Sequence, residues 1–501
     1  MIAEPFERFA TAYEAGQPQV LTVRLVDDLE TPISAYLKLG RATPYGFLYE
    51  SVEGGAWRGR YSIITLKPDL VWRCRGDKAE VARGFSAVAA EDFEPEPGGA
   101  LDSLRALLAE SKIDFPASLP PMAAGLFGVL GYDMVRLVEP LGAPNPDPLD
   151  LPDAVLVRPS VVAVFDSIGQ EIVLATPVRP SGSSAREAYD TAAARLAAVR
   201  NDLREPIPMP GEPAPRVQPP FKPGHSIESY GDVIARAKQY IAAGDIFQVV
   251  PSQRFEAPFD LDPFAFYRSL RRTNPSPFLF YLNFGGYQLA GSSPEILVRL
   301  RDDEITIRPI AGTRRRGVTP EEDLALEQDL LADPKELAEH LMLLDLGRND
   351  VGRVAKPASV RVTQSFGVER YSHVMHIVST VVGAAPEGVD PVEVLLAALP
   401  AGTVSGAPKV RAMEIIDELE TVKRGLGYAG AAGYISAKGE IDTCIVLRAA
   451  LFKDGRVYAQ AGGGVVADSD PRAEYEETLH KAGAARRAAE EAWRFERTGN
   501  P

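Results

Sequence analysis

Apolar and polar positions alternate with a period near two through VLTVRLV (20–26), YGFLYESVE (45–53), RYSIITLKP (60–68), AVLVRPSVVAVFDS (154–167) and EIVLATPV (171–178). That pattern predicts strands, and SSAREAYDTAAARLAAVRNDL predicts a helix over 183–204. A proline-rich stretch without apolar periodicity follows at 201–224 and reads as a linker or crossover between an N-terminal region, 1–200, and a second region, 225–490. In the second region helical patterns alternate with hairpins. IESYGDVIARAKQYIAAGD is helical; IFQVVPSQRFEAP, FLFYLNFGGYQLAGSSPEILVRL and ITIRPIAGTRR are strands; one helix spans 321–346; and RVYAQAGGGVVADS is a strand running into a turn. Hairpins rather than regular helical crossovers favour an α+β antiparallel architecture. No internal repeat is apparent.

Two acidic pairs sit on these elements, Glu336/Glu339 in KELAEHLMLLDLGRND and Glu474/Glu477 in AEYEETLHKAG. An i, i+3 spacing puts both carboxylates of a pair on one helical face. Four such groups around one cavity suit a hard divalent cation such as Mg2+, which in turn suits an anionic substrate. For a single pair a solvated helix face is the ordinary reading; two pairs in amphipathic settings shift the balance. Glu477 with His480 also makes one Glu-x-x-His spacing, but the second copy that a di-iron bundle needs is missing.

The composition narrows the classes. The 501 residues are 45% hydrophobic and 25% charged, with a formal net charge of -15. A large core and roughly two to four domains are expected from such a length, and the acidic balance argues against a nucleic-acid surface. The opening MIAEPFERFATAYEAG lacks a basic stretch followed by an apolar one, and no apolar run of about 18 residues offers a membrane span. A cytoplasmic protein is expected. Cys74 and Cys444 are the two cysteines, too few for a disulfide framework or a CxxC metal site, and read as core thiols.

Other motifs keep two readings at this stage. Gly462-Gly463-Gly464 follows a strand and precedes the helix of Glu477 and Lys481, so it is either an anion cradle of backbone N–H groups or a tight turn. PAGTVSGAPKVRAMEIIDELE, with Thr403, Ser405 and Pro408, is a second anion-binding turn or a plain helix cap. GLGYAG at 425–430 matches G-x-G-x-x-G but follows a helix and leads into a strand, the reverse of a dinucleotide-binding turn, and there is no Walker A motif. His376 lies in an apolar run, where a hydrogen-bonded core histidine is the default. No serine or cysteine has the local setting of an activated nucleophile.

Taken together, IFQVVPSQRF, TNPSPF, SSPEILV, RPIAGTRRRG, EHLMLLDLGRNDVGRV, YSHVMHIVSTV, LPAGTVSGAPKVRAMEIIDELE and AGGGVVADSDPRAEYEET resemble the chorismate-utilising enzymes, and within them the anthranilate synthase component I group. GFLYESVEGG and GRYS resemble the N-terminal region of that group, so the likeness extends across the chain. It implies a two-sheet antiparallel sandwich with helices outside, and a 225–490 region that binds chorismate. It also implies a lyase reaction in which ammonia adds at C2 with loss of the C4 hydroxyl, followed by elimination of pyruvate to give anthranilate, the first committed step of tryptophan biosynthesis.

By the same resemblance Glu339 and Glu477 ligate Mg2+ directly, and Glu336 and Glu474 hold its waters. Glu295 is the general acid for the departing hydroxyl, and His376 serves the pyruvate elimination. Arg448 and Tyr428 grip the enolpyruvyl carboxylate. Ala311, Gly312, Thr313, Thr403, the Gly462, Gly463 and Gly464 amides and Lys481 complete the cradle. Members that add water carry a lysine base where this chain has Gln248, which cannot act as a base. Aminodeoxychorismate synthases, the nearest alternative, carry a nucleophilic lysine where this chain has Ala311, so ammonia is expected to attack directly. With no glutaminase cysteine here, a separate glutamine amidotransferase subunit (component II) is the implied partner. Tryptophan as feedback inhibitor is implied at Leu48, Glu50 and Ser51 with Asn274, Pro275, Ser276, Pro277 and Phe278; Tyr49 and Phe278 depart from the family pattern. A non-catalytic amino-acid-sensing homologue is the alternative of another class, opposed by the presence of Glu295, His376 and all four acidic residues.

Overall fold

The structure is a computed structural model and describes residues 2–41, 43–51, 59–207, 215–371 and 374–496. Among these the fold is mixed helix and antiparallel sheet, as expected. Twenty-one strands join in one hydrogen-bonded network, and Gln248–Val249 pairs separately with Gly406–Ala407. Two long neighbouring strands, Tyr61–Arg75 and Ala154–Asp166, hold the network together, and the register between them shifts between Pro68 and Leu70. On one side of the shift, pairing passes from Ile63, Ile64 and Thr65 to Phe47–Glu50, then to Phe278–Asn283, Tyr287–Ser293, Ala449–Lys453, Arg456–Gly462 and Ser252–Pro258. On the other side it passes through Gly125–Leu130 to Ala431–Ser436, Ile441–Ile445, Ile296–Arg301, Glu304–Ile307 and Val374–Ala384. Both arms contain strands from 1–200 and from 225–490.

Strand alternation sorts the side chains of these arms into layers. Val71, Phe127, Val155, Val162 and Phe280 point into one core shared by both arms. Their strand neighbours Trp72, Leu126 and Leu156 face outward against helices that include Ala100–Ser111 and Pro391–Ala398. Ile64, Ala163 and Leu279 face the opposite outer core, closed by helices that include Ala185–Arg204 and Pro263–Thr273. Two sheets thus share a central core, and each is covered outside by helices, the α+β sandwich that the resemblance implied.

The expected single helix over 321–346 is two, Pro320–Ala332 and Pro334–Gly352. Asp333 breaks it: its side chain caps the second helix by accepting from the Lys335 and Glu336 N–H groups, and Pro334 follows at the first helical position. The 201–224 stretch begins inside the helix that ends at Arg204 and closes on a short strand, Lys222–Pro223; residues 208–214 lie outside the described set. Both cysteines are free and buried, as expected. No helix among the described residues is long and apolar enough to cross a membrane.

Candidate active site

Glu295 sits at the corner between Tyr287–Ser293 and Ile296–Arg301. Its backbone is pinned there: its N–H donates to Ser293 Oγ (3.4 Å), and its carbonyl accepts from Ile445 N–H (3.0 Å). The side chain is 6% exposed. Thr403 Oγ1, on the 3-10 turn Gly402–Val404, donates to Oε2 at 3.1 Å, and the Ile310 backbone adds a further hydrogen bond. Burial outweighs these contacts and pushes the carboxyl up to about 8. At neutral pH the group therefore holds a proton it can deliver.

His376 stands across the ladder from Thr313, where the strand Ile310–Arg315 bulges between Ala311 and Thr313. The bulge turns on Gly312, at φ +69°, whose carbonyl accepts from His376 Nδ1 at 2.8 Å; Thr313 Oγ1 lies 3.1 Å from the same nitrogen. Nδ1 thus carries the hydrogen and Nε2 the lone pair. Burial pulls the ring down to about 4, which keeps it neutral. The core setting read from the apolar run is correct, and the ring is also oriented by a fixed hydrogen bond.

Arg448 occupies a left-handed conformation, φ +48°, which a long side chain adopts only where its surroundings enforce it. Its guanidinium lies in the field of Tyr371 and Glu295, and burial lowers its affinity for its proton. No described residue forms a hydrogen bond or ion pair with it, so it is a half-buried cation that the described residues leave uncompensated by direct contact. Tyr428, 3% exposed, shares a hydrogen bond with the Gly462 backbone, and burial lifts its hydroxyl to about 12.

Both acidic pairs open helices that begin Asp-Pro. Asp333 and Asp470 cap Pro334–Gly352 and Pro471–Glu491, which places Glu336 and Glu474 in the first turns, where the helix dipole favours negative charge. The glycine turn runs between the two helices. A Cβ on Gly463 would meet Glu474 Oε2 at 2.7 Å and Glu477 Oε1 at 3.4 Å; one on Gly464 would meet Gln248 Nε2 at 2.1 Å and Glu339 Oε1 at 3.6 Å. A side chain there would have to push aside the very groups that face the turn. Burial raises the Glu339 pKa, with repulsion from Glu336 and Glu477 added; burial also raises that of Glu474, with repulsion from Glu477 added. Lys481 Nζ lies 2.7 Å from Glu477 Oε1 and donates to the Gly462 carbonyl at 2.9 Å, while Arg314 Nη1 donates to Glu336 Oε1 at 3.3 Å. Glu474 Oε2 is buried and has no hydrogen-bond partner among the described residues.

Among the described residues no three or more His, Cys, Asp or Glu groups close around one point as a finished metal cage. An open, all-oxygen donor set with an orphaned carboxylate oxygen nevertheless fits Mg2+, which keeps several waters and uses few protein ligands. His480 is exposed, in line with setting the di-iron reading aside. Ser405, offered above as an anion-binding hydroxyl, instead donates to the Ala401 carbonyl at 2.8 Å.

A cavity of about 140 Å³ opens beside the strand pair Phe47–Glu50 and Phe278–Asn283. From the two segments expected to hold tryptophan, its wall takes Glu50, Ser51 and Phe278, together with Tyr49. Leu48 faces the other way, into the outer core, as the strand period requires. Asn274, Pro275, Ser276 and Pro277 are not part of the wall; Asn274 Nδ2 instead donates to Ser292 Oγ at 3.3 Å. Glu50 is buried and held by the Tyr267 hydroxyl (2.6 Å) and Arg271 (3.1 Å). Cys444 lines the same cavity. Residues 52–58, which include the end of GFLYESVEGG, lie outside the described set.

Residues 67–487 match the family of chorismate binding enzymes. The chain belongs to that family. Anthranilate synthase component 1 of Cereibacter sphaeroides is 59% identical over 500 residues, covering 99% of each chain. Its counterpart in Pseudomonas aeruginosa is 48% identical over 478 residues, 93% of this chain and 94% of that protein. Anthranilate synthase component I from Streptococcus pneumoniae TIGR4 superposes with a TM-score of 0.76 at 37% identity, covering 92% of this chain and 98% of that one. In this chorismate-binding enzyme the motif residues Glu295, His376, Arg448, Thr403 and the acidic pairs carry a sequence signal. Arg424, which pairs with Glu420, lies just outside the quoted motifs and carries no such signal.

Proposed function

We propose that this chain is the synthase component of an anthranilate synthase, converting chorismate and ammonia to anthranilate, pyruvate and water. A buried Glu295, its pKa raised by that burial, near an Arg448 that pairs with no described residue is the observation that carries the reading. Glu295 gives its proton to the C4 hydroxyl as that group leaves, and ammonia attacks C2 directly, Ala311 offering no covalent alternative. Neutral His376, with the lone pair on Nε2, then takes the C2 proton as pyruvate departs. Arg448 and Tyr428 orient the enolpyruvyl carboxylate, and Ala311, Gly312, Thr313, Thr403, Lys481 and the Gly462–Gly464 amides shape the remaining cradle. Glu339 and Glu477 would hold Mg2+ directly and Glu336 and Glu474 through water, the ion supplying positive charge at the ring carboxylate. Ammonia comes from a glutamine amidotransferase subunit, and the enzyme works in the cytoplasm.

Incubating the purified chain with chorismate, Mg2+ and ammonium, followed by mass analysis, tests this. Anthranilate and pyruvate are expected, lost on adding EDTA. Aminodeoxychorismate as product would overturn the direct-attack assignment, and intact chorismate would favour the sensing homologue. Arg448→Gln is expected to lower kcat/KM for chorismate by about 100-fold, the loss of a charge-assisted contact of roughly 2–3 kcal/mol, with the circular dichroism spectrum unchanged.

The cavity at Glu50, Ser51 and Phe278 is proposed as the tryptophan site. Its aromatic wall suits an indole, and the Glu50 carboxylate suits an ammonium group. In calorimetric titrations Phe278→Ala should weaken L-tryptophan binding by about tenfold, roughly 1.4 kcal/mol, while uninhibited turnover is retained. Unchanged binding would place tryptophan elsewhere.

A further inference from the structure

Glu420 and Arg424 form a buried ion pair, 6% and 3% exposed, that takes no part in the chemistry above. Arg424 Nε lies 3.0 Å from Glu420 Oε2, and Nη2 lies 2.5 Å from Oε1. The guanidinium also donates to two further chain segments. Nη1 donates to the Val404 carbonyl (2.6 Å), one residue beyond Thr403, and Nη2 donates to the Val250 carbonyl (2.7 Å), two residues beyond Gln248. The guanidinium also lies 5.2 Å from the centre of the Tyr428 ring and 4.8 Å from that of Tyr132. Glu420 Oε1 accepts from both the N–H and the hydroxyl of Ser252, each at 2.8 Å, and Ser252 stands opposite Gly462 in the ladder.

Burial alone would work against the Arg424 charge, but Glu420 more than offsets it. Stability gives little reason to retain such a pair, because well-packed apolar residues commonly serve as well. The contacts point to another reason. Thr403 holds the Glu295 carboxyl, Gln248 Nε2 donates to Glu339 (3.4 Å), and Gly462 starts the turn between the acidic helices. We infer that Glu420 and Arg424 are positioning residues for chorismate turnover: without touching substrate, they fix the Thr403 turn, the Gln248 strand, the Tyr428 ring and the glycine turn in one mutual geometry. The inference rests on the functional reading above. A planar five-donor guanidinium can serve Glu420 and two carbonyls at once, whereas an ammonium cannot do so in the same plane.

The test uses the full chain with ammonium as the nitrogen source. Arg424→Lys should lower kcat by about 100-fold and shift the alkaline limb of the pH profile upward, because Thr403 loosens its hold on the Glu295 carboxylate. Ser252→Ala, a small change that keeps the fold, should lower kcat/KM about fivefold with little change in melting temperature. Should Arg424→Lys fail to fold, Arg424→Met with Glu420→Leu removes both charges together and should fold yet lose at least 100-fold in kcat/KM. A core-stabilising role alone would move melting temperature and leave kcat, KM and the pH limb of the folded fraction where they are. A folded Ser252→Ala or double variant within twofold of wild type would overturn the inference. A wild-type chain that makes no anthranilate would instead overturn the functional reading beneath it.

Discussion

Glu295→Gln is expected to abolish anthranilate formation, with kcat falling by about 1,000-fold or more, the upper part of the range for losing a positioned general acid. The wild-type rate should decline as pH rises past about 8, where the buried carboxyl loses its proton. Stability supplies an independent check on the same group. In the folded state its pKa is about 8, against an ordinary value of 4.5, so between those values the folded chain binds the proton that the unfolded chain has released. Wild-type stability therefore falls with rising pH across that window and levels off above it, by up to about 5 kcal/mol from this one site. A neutral amide has no such slope. Denaturant titrations at pH 5 and pH 9 should show Glu295→Gln gaining on wild type at the higher pH. Parallel curves would mean that Glu295 is ionised throughout and is not the acid.

That acid was legible as a motif but not as a chemical state. SSPE gives the residue, while its raised pKa comes from burial that no local pattern reports, only partly offset by hydrogen bonds from Thr403 and Ile310, distant in sequence. The acidic pairs were more transparent, because an i, i+3 spacing fixes a shared helical face before any tertiary contact is known. Their helix was still misjudged in length: the charged pattern runs unbroken across Asp333-Pro334, although that dipeptide is itself a cap followed by a first-turn proline. The same period argument, applied to the strand Phe47–Glu50, separates Leu48 from Tyr49, although Glu50, of Leu48's parity at the strand end, lines the cavity all the same. Arg424 and Glu420 show the limit. Two charges four residues apart carry no sign of burial in the sequence, and only the packed fold encloses them.

Glu339→Gln and Glu474→Gln should each separate metal binding from folding. Removing one carboxylate relieves repulsion that now adds to burial in raising the pKa values of Glu339 and Glu474. The metal-free variants should accordingly melt at or above the wild-type temperature. Affinity moves the other way. Fewer anionic oxygens leave a hard divalent cation underserved, and Mn2+ binding followed by electron paramagnetic resonance should weaken at least tenfold, about 1.4 kcal/mol. In wild type, Mg2+ should raise the melting temperature by mass action, EDTA should reverse the rise, and both effects should shrink in the variants. Turnover with ammonium should be lost in parallel. Glu474 is the sharper test: its Oε2 is buried without a partner among the described residues, a cost that the native state bears more readily if a bound cation or its water completes the shell. A Glu474→Gln chain that binds Mn2+ and turns over chorismate like wild type would show that the acidic pairs serve the fold and that the metal, if one is used, binds elsewhere.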